Sequence, residues 1–285
     1  MTNKSNNLRA FASSRETLNQ FDLITSELKT LAAKESVTIL WACESGSRAW
    51  GFESVDSDYD VRFIYVRRRN DYLRASPMRD VIEIPVSDSL DISGWDLPKA
   101  LGLLRKSNPP LLEWLQSPIV YSEFPGFRQG FWNLCQDYFC PRACMYHYLS
   151  MAERNRRSYL SSGTIRLKRY FYMLRPILSC QWLTERGSIA PMEFGVLLDE
   201  LVPNGSVREI IDELLDRKRA GFELGEAPVI PELSRFIIEK METFQEVVKG
   251  TEFTKEWEPI DNYFRTILDL VEGSTIRSID PSAKQ

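Results

Sequence analysis

Apolar residues recur along this chain with two different periods, and the change from one to the other divides it. Leu18, Phe21, Ile24, Leu28 and Leu31 fall near one helical face behind Ser14-Arg15-Glu16-Thr17, which predicts a first amphipathic helix. Thr38-Ile39-Leu40-Trp41-Ala42-Cys43 is a short, partly β-branched apolar run that ends in Glu44-Ser45-Gly46-Ser47, the pattern of a buried strand entering a tight turn. Residues 58–66 begin with period-two alternation and finish β-rich, so Asp58, Asp60 and Arg62 share one face of a strand. Further strands are predicted at 81–86 and 90–93, separated by the polar turn Ser87-Asp88-Ser89.

Helical spacing then takes over. Asp96-Leu97-Pro98 reads as an N-capped start with Leu97, Leu101 and Leu104 as the apolar stripe, and Asn108-Pro109-Pro110 opens another helix with Leu112 and Leu115 inward. Later helices are predicted at 146–160, 164–183, 207–218, 233–248 and 262–271. The strand-like zone spans 38–117 and helical periodicity dominates from about Gly126. The expected organisation is an α+β catalytic core over residues 1–125, followed by a helical domain over 126–285.

Composition fits a folded chain: 43% of the 285 residues are hydrophobic and 27% charged, far from the profile of a disordered protein. The formal net charge of -4 means that the overall field does not attract polyanions, so a nucleic-acid partner has to be met locally. Arg67-Arg68-Arg69 and the arginines at 154, 156 and 157 are short basic clusters of the kind that ordinarily solvate an exposed face. No stretch approaches the ~20 apolar residues of a membrane span, and the polar N-terminus lacks a signal-peptide core. A cytoplasmic protein with no membrane partner is expected. Five cysteines, an odd number, fit free thiols without structural disulfides.

The chemistry concentrates in Gly46-Ser47-Arg48-Ala49-Trp50-Gly51 and in Ser54, Ser57 and Asp58-Tyr59-Asp60. A glycine after a strand lets the backbone approach a ligand, the serine adds a hydroxyl, and nearby N–H groups can point at a phosphate. If Arg48 to Trp50 begin a short helix, its unpaired N–H groups reinforce that cradle. Two aspartates two apart on a strand project side by side, which costs Coulomb energy unless a cation neutralises them. Mg²⁺ suits oxygen ligands shared with substrate phosphates, and a third carboxylate on a neighbouring strand would allow two ions.

Gly46-Ser47 followed by Asp58-x-Asp60 resembles the signature of the DNA polymerase beta-like nucleotidyltransferase superfamily. More narrowly, 46–51 and 57–62, with Asp96-Leu97-x-Lys99, Asn108-Pro109 and Glu113-Trp114-Leu115, are similar to the nucleotidyltransferases of bacterial RNA-repair operons. The similarity continues through 170–176 and covers the chain to about Leu183. It implies a mixed sheet flanked by helices with a helical extension, a nucleoside triphosphate as substrate, and Gly46 and Ser47, with Arg48, at its phosphates. Asp58 and Asp60 are implied as ligands of two Mg²⁺ ions, with Mn²⁺ as a substitute. For the third carboxylate Asp91 is preferred and Glu83 is the alternative; it would hold the catalytic metal and orient the attacking hydroxyl. An RNA 3′ end is the first choice of acceptor. A protein hydroxyl, as in nucleotidyltransferase antitoxins, is the second, and a nucleotide- or RNA-binding module without turnover is the non-enzymatic rival.

In the helical half Lys168, Tyr172 and Arg175 align at i, i+4 and i+7. Facing the cleft they would hold the triphosphate and stack on the base; otherwise they form a solvated face. Cys140, Cys144 and His147 also align, with Cys135 upstream, but no second His or CxxC completes a zinc site, so core packing is the expected role. His147 is the only histidine and no nucleophile motif accompanies it.

Overall fold

A computed structural model describes residues 3–54, 56–87, 89–157, 163–221, 225–248 and 255–279. The elements in chain order are α1 (Asn3–Glu35), β1 (Thr38–Glu44), α2 (Gly46–Ala49), β2 (Tyr59–Val66), α3 (Arg69–Tyr72), β3 (Val81–Ser87), β4 (Leu90–Asp96), α4 (Leu97–Arg105), α5 (Pro109–Trp114) and β5 (Val120–Glu123). They continue with α6 (Phe127–Tyr138), α7 (Pro141–Arg157), β6 (Thr164–Arg166), α8 (Lys168–Arg186), α9 (Phe194–Leu201), α10 (Ser206–Arg219), β7 (Glu226–Pro228), α11 (Pro231–Val248) and α12 (Glu258–Ile279).

The expected α+β architecture is present as a five-stranded mixed sheet in the order β3-β4-β2-β1-β5. β2 pairs with β4 in parallel, and the remaining pairs are antiparallel. Alternation assigns the two faces. Val61, Phe63 and Tyr65 of β2 join Ala42, Ile82 and Ile92 under Ile24, Leu28 and Leu31 of α1. Ile64 and Val66 point the other way, into a continuous apolar core with α4, α5, α6, α7, α8 and α9. This second core runs from Leu40 and Trp41 to Phe171 and Leu174, so burial continues across the composition change at residue 126.

Several boundaries differ from the sequence expectation. α1 is far longer than its apolar stripe, and β5, α3, α6 and α9 are additional elements. The segment predicted to be helical from 164 instead begins as β6, paired with β7, and the helix starts at Lys168. Of the helix predicted at 146–160, residues 158–160 lie outside the described residues. Asp96 sits at the start of α4 without a side-chain capping bond; its carboxylate accepts the Tyr72 hydroxyl at 2.5 Å and faces Arg67 at 3.5 Å. No helix among the described residues is long and apolar enough to cross a membrane.

Candidate active site

Even-numbered β2 residues face the helical half. Ile64 and Val66 are covered by it, whereas Asp60, near the start of the strand, opens into a cleft of about 560 Å³. Ser47, Asp58 and Asp60 line its sheet side; Arg166, Lys168, Tyr172 and Lys218 line its helical side. Asp58 precedes the first paired residue, so the dyad straddles the end of the strand.

The turn before α2 is built against this carboxylate. Gly46 has φ +61°, and a Cβ placed on it would lie 2.0 Å from Asp60 Oδ2. Both the left-handed conformation and the contact require glycine. The Ser45 amide donates to the Asp60 carbonyl at 2.8 Å, tying the turn to β2. Ser54 and Ser57 bond to each other through backbone and hydroxyl, at 2.9 to 3.1 Å.

Arg48 acts on this loop from the side. Its guanidinium donates to the Ser57 carbonyl at 2.6 Å and to the Asp58 carbonyl at 3.2 Å, and it lies 3.8 Å over the Tyr59 ring. The structure therefore gives the Arg48 side chain to the loop backbone, and it is not among the lining residues. Trp50 and Phe52 dock the turn onto the helical half: Phe52 stacks on Phe171 at 5.0 Å and Trp50 meets Tyr172 edge-on at 5.7 Å. Aromatic packing thus joins the glycine-serine turn to the helical side of the cleft.

Behind the dyad lies a carboxylate that motif reading missed. Glu44, the last residue of β1, is fully buried on the α1 face; its Oε1 accepts the Asp60 amide at 2.7 Å and its Oε2 accepts the Tyr121 hydroxyl at 2.5 Å. Burial pushes the Glu44 carboxyl up to about 7, against the pull of those two donors. The signal was present in the sequence as an acidic residue two after buried Ala42, on the inward face. The Asp60 carboxyl is also raised, first by burial and then by Asp91 and Asp58, with Arg62 opposing.

Asp91 stands opposite Asp60 across the parallel β2–β4 pair. Glu83 is one strand further out, exposed, and paired with Arg79. Arg62 Nη2 lies between the Asp60 and Asp91 carboxylates, 3.2 Å from Oδ1 of the first and 2.7 Å from Oδ2 of the second, and among the described residues no three His, Cys, Asp or Glu side chains gather closely enough to form a ready-made metal site.

On the helical side the expected trio separates. Lys168 and Tyr172 line the cleft, but Arg175 does not: it is 1% exposed, with Nη1 on Glu113 Oε1 at 2.6 Å, Nε and Nη2 on the Met192 carbonyl at 3.2 and 3.0 Å, and its guanidinium 4.7 Å over Trp50. Its charge is consumed by a buried carboxylate, so the expectation that Arg175 grips phosphate is corrected. Two cations that sequence reasoning missed take up the same wall, Arg166 of β6 and Lys218 near the end of α10. Burial lowers the Lys218 ammonium, the charge of Lys168 adds to the effect, and Glu53 opposes it. No local pattern marks either residue, since β6 and α10 meet the cleft only through tertiary packing.

A mixed sheet that sets a glycine-serine turn against strand-borne aspartates, beneath a helical half, defines the polymerase-beta-like nucleotidyltransferase class. Residues 22–266 match the RNA repair pathway DNA polymerase beta family, RlaP, and the chain belongs to that family. It is 46% identical over 249 residues to the protein YcgL of Bacillus subtilis (strain 168), covering 87% of this chain and 95% of that one. A crystal structure of a nucleotidyltransferase-like protein from Exiguobacterium sibiricum 255-15 aligns over 81% of each chain at 13% identity. Its TM-score is 0.28, a likeness too low to carry weight.

Proposed function

We propose that the chain transfers a nucleoside monophosphate from a nucleoside triphosphate to an acceptor hydroxyl, with an RNA 3′ end as acceptor. The observation that carries this reading is the charge division of one cleft. Asp58 and Asp60 stand beside a glycine turn on one side; on the other, Arg166, Lys168 and Lys218 outnumber a single carboxylate, Glu226, which pairs in register with Arg166. Two ammonium groups close enough to repel, Lys168 and Lys218, are an unfavourable pair unless an anion comes between them, and a triphosphate tail supplies that charge.

The donor set suits Mg²⁺, with Mn²⁺ as a substitute: Asp58 and Asp60 offer oxygen ligands, and Gly46 leaves the Asp60 carboxylate clear of side-chain bulk. When bound, the ion would neutralise charge on the phosphates and on the developing leaving group. Ser47 and the turn backbone hold the phosphates, Lys168, Lys218 and Arg166 neutralise the β- and γ-groups, and Tyr172, 42% exposed, offers a face to the base. The acceptor oxygen bonds to the α-phosphorus as the bond from that phosphorus to the bridging oxygen breaks. The electron pair leaves with pyrophosphate, and the hydroxyl proton passes to the Asp91 carboxylate.

The test is incubation with α-labelled nucleoside triphosphates, Mg²⁺ and short RNAs ending in a free or a blocked 3′ hydroxyl. Label on the free-ended RNA alone, with stoichiometric pyrophosphate, is the expected result. Label on protein in a lysate would replace RNA with a protein hydroxyl as acceptor, and triphosphate binding without pyrophosphate release would overturn the enzymatic reading.

A further inference from the structure

Arg62 lies two residues after Asp60 on the same face of β2, and it is bound by more than the two carboxylates. Nη1 donates to the Val61 carbonyl at 3.0 Å and the Asp91 carbonyl at 3.1 Å, while Nη2 bridges Asp60 Oδ1 and Asp91 Oδ2. The two carbonyls belong to paired strands, so the guanidinium is seated by the sheet itself. Its side chain is 19% exposed. A guanidinium stays charged at any accessible pH. An ion held by both Asp60 and Asp91 would compete with this guanidinium for the carboxylate oxygens it now bonds.

We propose that Arg62 is a built-in positive charge of the active centre: the chain's carboxylates hold a single divalent cation, at Asp58 and Asp60, and Arg62 stands in place of a second ion between Asp60 and Asp91. This rests on the nucleotidyltransferase reading above. Seating a second ion there would take Arg62 off both carboxylates and leave the Val61 and Asp91 carbonyls, now bonded by a charged donor, without it. Asp91 then acts as a partner of Arg62 and an acceptor of the hydroxyl proton, and is not a metal ligand. Arg62 is a positioning residue, holding Asp60 and Asp91 at a set distance across the parallel pair.

Mn²⁺ bound to the full chain with a non-hydrolysable α,β-methylene ATP analogue can be counted by electron paramagnetic resonance and its affinity measured by calorimetry. The expected wild-type plateau is one Mn²⁺ per chain. Asp91→Asn, which keeps an oxygen for Arg62, should leave the count at one Mn²⁺ and its affinity within about twofold, whereas loss of a true ligand carboxylate would weaken binding by roughly tenfold or more, since affinity for such ions is set by the charge count of the ligands. Arg62→Lys should keep one ion, and Arg62→Met, if folded by circular dichroism, should admit a second. Two ions in the wild type, or a tenfold loss of affinity in Asp91→Asn, would overturn the proposal while leaving the nucleotidyltransferase reading intact. Failure of the wild type to bind the analogue at all would overturn that reading, and the proposal with it.

Discussion

Arg175→Met separates burial from ligand binding on the helical side of the cleft. The arginine neutralises Glu113, which also accepts the Tyr148 hydroxyl at 2.8 Å, and it supplies both donors to the Met192 carbonyl. Methionine preserves much of the side-chain volume but leaves Glu113, 4% exposed, as a buried charge without its ion-pair partner. Breaking such a pair from one side costs about 3 to 5 kcal/mol. For a chain of 285 residues the unfolding entropy is on the order of 0.6 kcal/mol per kelvin, so Tm should fall by about 5 to 8 °C. Adding Glu113→Gln removes the stranded charge and keeps an acceptor for Tyr148, and should restore on the order of 2 kcal/mol. Chemical denaturation of the three variants, with calorimetric titration of a non-hydrolysable triphosphate into each, reads both effects. An Arg175→Met protein with unchanged stability and tenfold weaker nucleotide binding would refute the buried-pair reading and return Arg175 to the cleft.

Other perturbations test the opposite faces of the site. Lys218→Met should weaken triphosphate binding by about 1.5 to 3 kcal/mol, through loss of a charge-assisted contact, and should leave Tm unchanged or slightly raised because it relieves repulsion with Lys168; calorimetry and thermal melts check both. Gly46→Ala should cost about 1 to 2 kcal/mol from its left-handed φ alone and abolish nucleotide transfer by displacing the Asp60 carboxylate, as followed by melts and pyrophosphate release. Glu44 titrates higher in the folded protein, so the folded state binds the extra proton between pH 4.5 and about 7 and stability falls as pH rises through that window. Glu44→Gln, which can still accept the Asp60 amide, should flatten that part of the stability–pH curve, by up to about 3 kcal/mol; an unchanged slope in urea melts across the window would contradict it. Asp58→Asn and Asp60→Asn should each abolish transfer with the fold retained by circular dichroism, and near wild-type turnover in either would remove the metal-dyad assignment.

The sheet was readable because β1 is an unbroken apolar run ending in a turn and β2 alternates. Val61, Phe63 and Tyr65 against Asp60, Arg62 and Ile64 is a pattern that only a strand buried on both faces, but open at one end, satisfies. β5 was not, since four residues with Val120 and Tyr121 as their apolar content gain strand character only by pairing with β1. β6 is the sharper case. Thr164-Ile165-Arg166 shares the helical spacing of α8, and only the distant Glu226–Pro228 segment makes it a strand and turns Arg166 into the cleft. Tertiary pairing overrode local periodicity there, as it does wherever a segment is too short to carry its own signal.

The charged residues of α8 show a different limit, one of depth. Spacing at i, i+4 and i+7 fixes the side of a helix a residue takes, and Lys168 and Tyr172 do share the cleft side. Arg175 lies seven residues along the axis from Lys168, roughly 10 Å at the helical rise, where that side of α8 has passed beneath Trp50 and the Met192 carbonyl. A cation carried that far from solvent persists only with a carboxylate to meet it. Glu113 of α5 is that carboxylate, and its own burial at 4% exposure is tolerable only because the arginine arrives. Each charge therefore explains the other, and neither can be placed from its own segment. The same logic holds at Arg62, whose seat between Asp60 and Asp91 depends on carbonyls from two strands, one of them 29 residues away in the chain. In both cases the sequence marks which residues carry charge, and the packing of separate elements decides which of those charges is left over for a substrate.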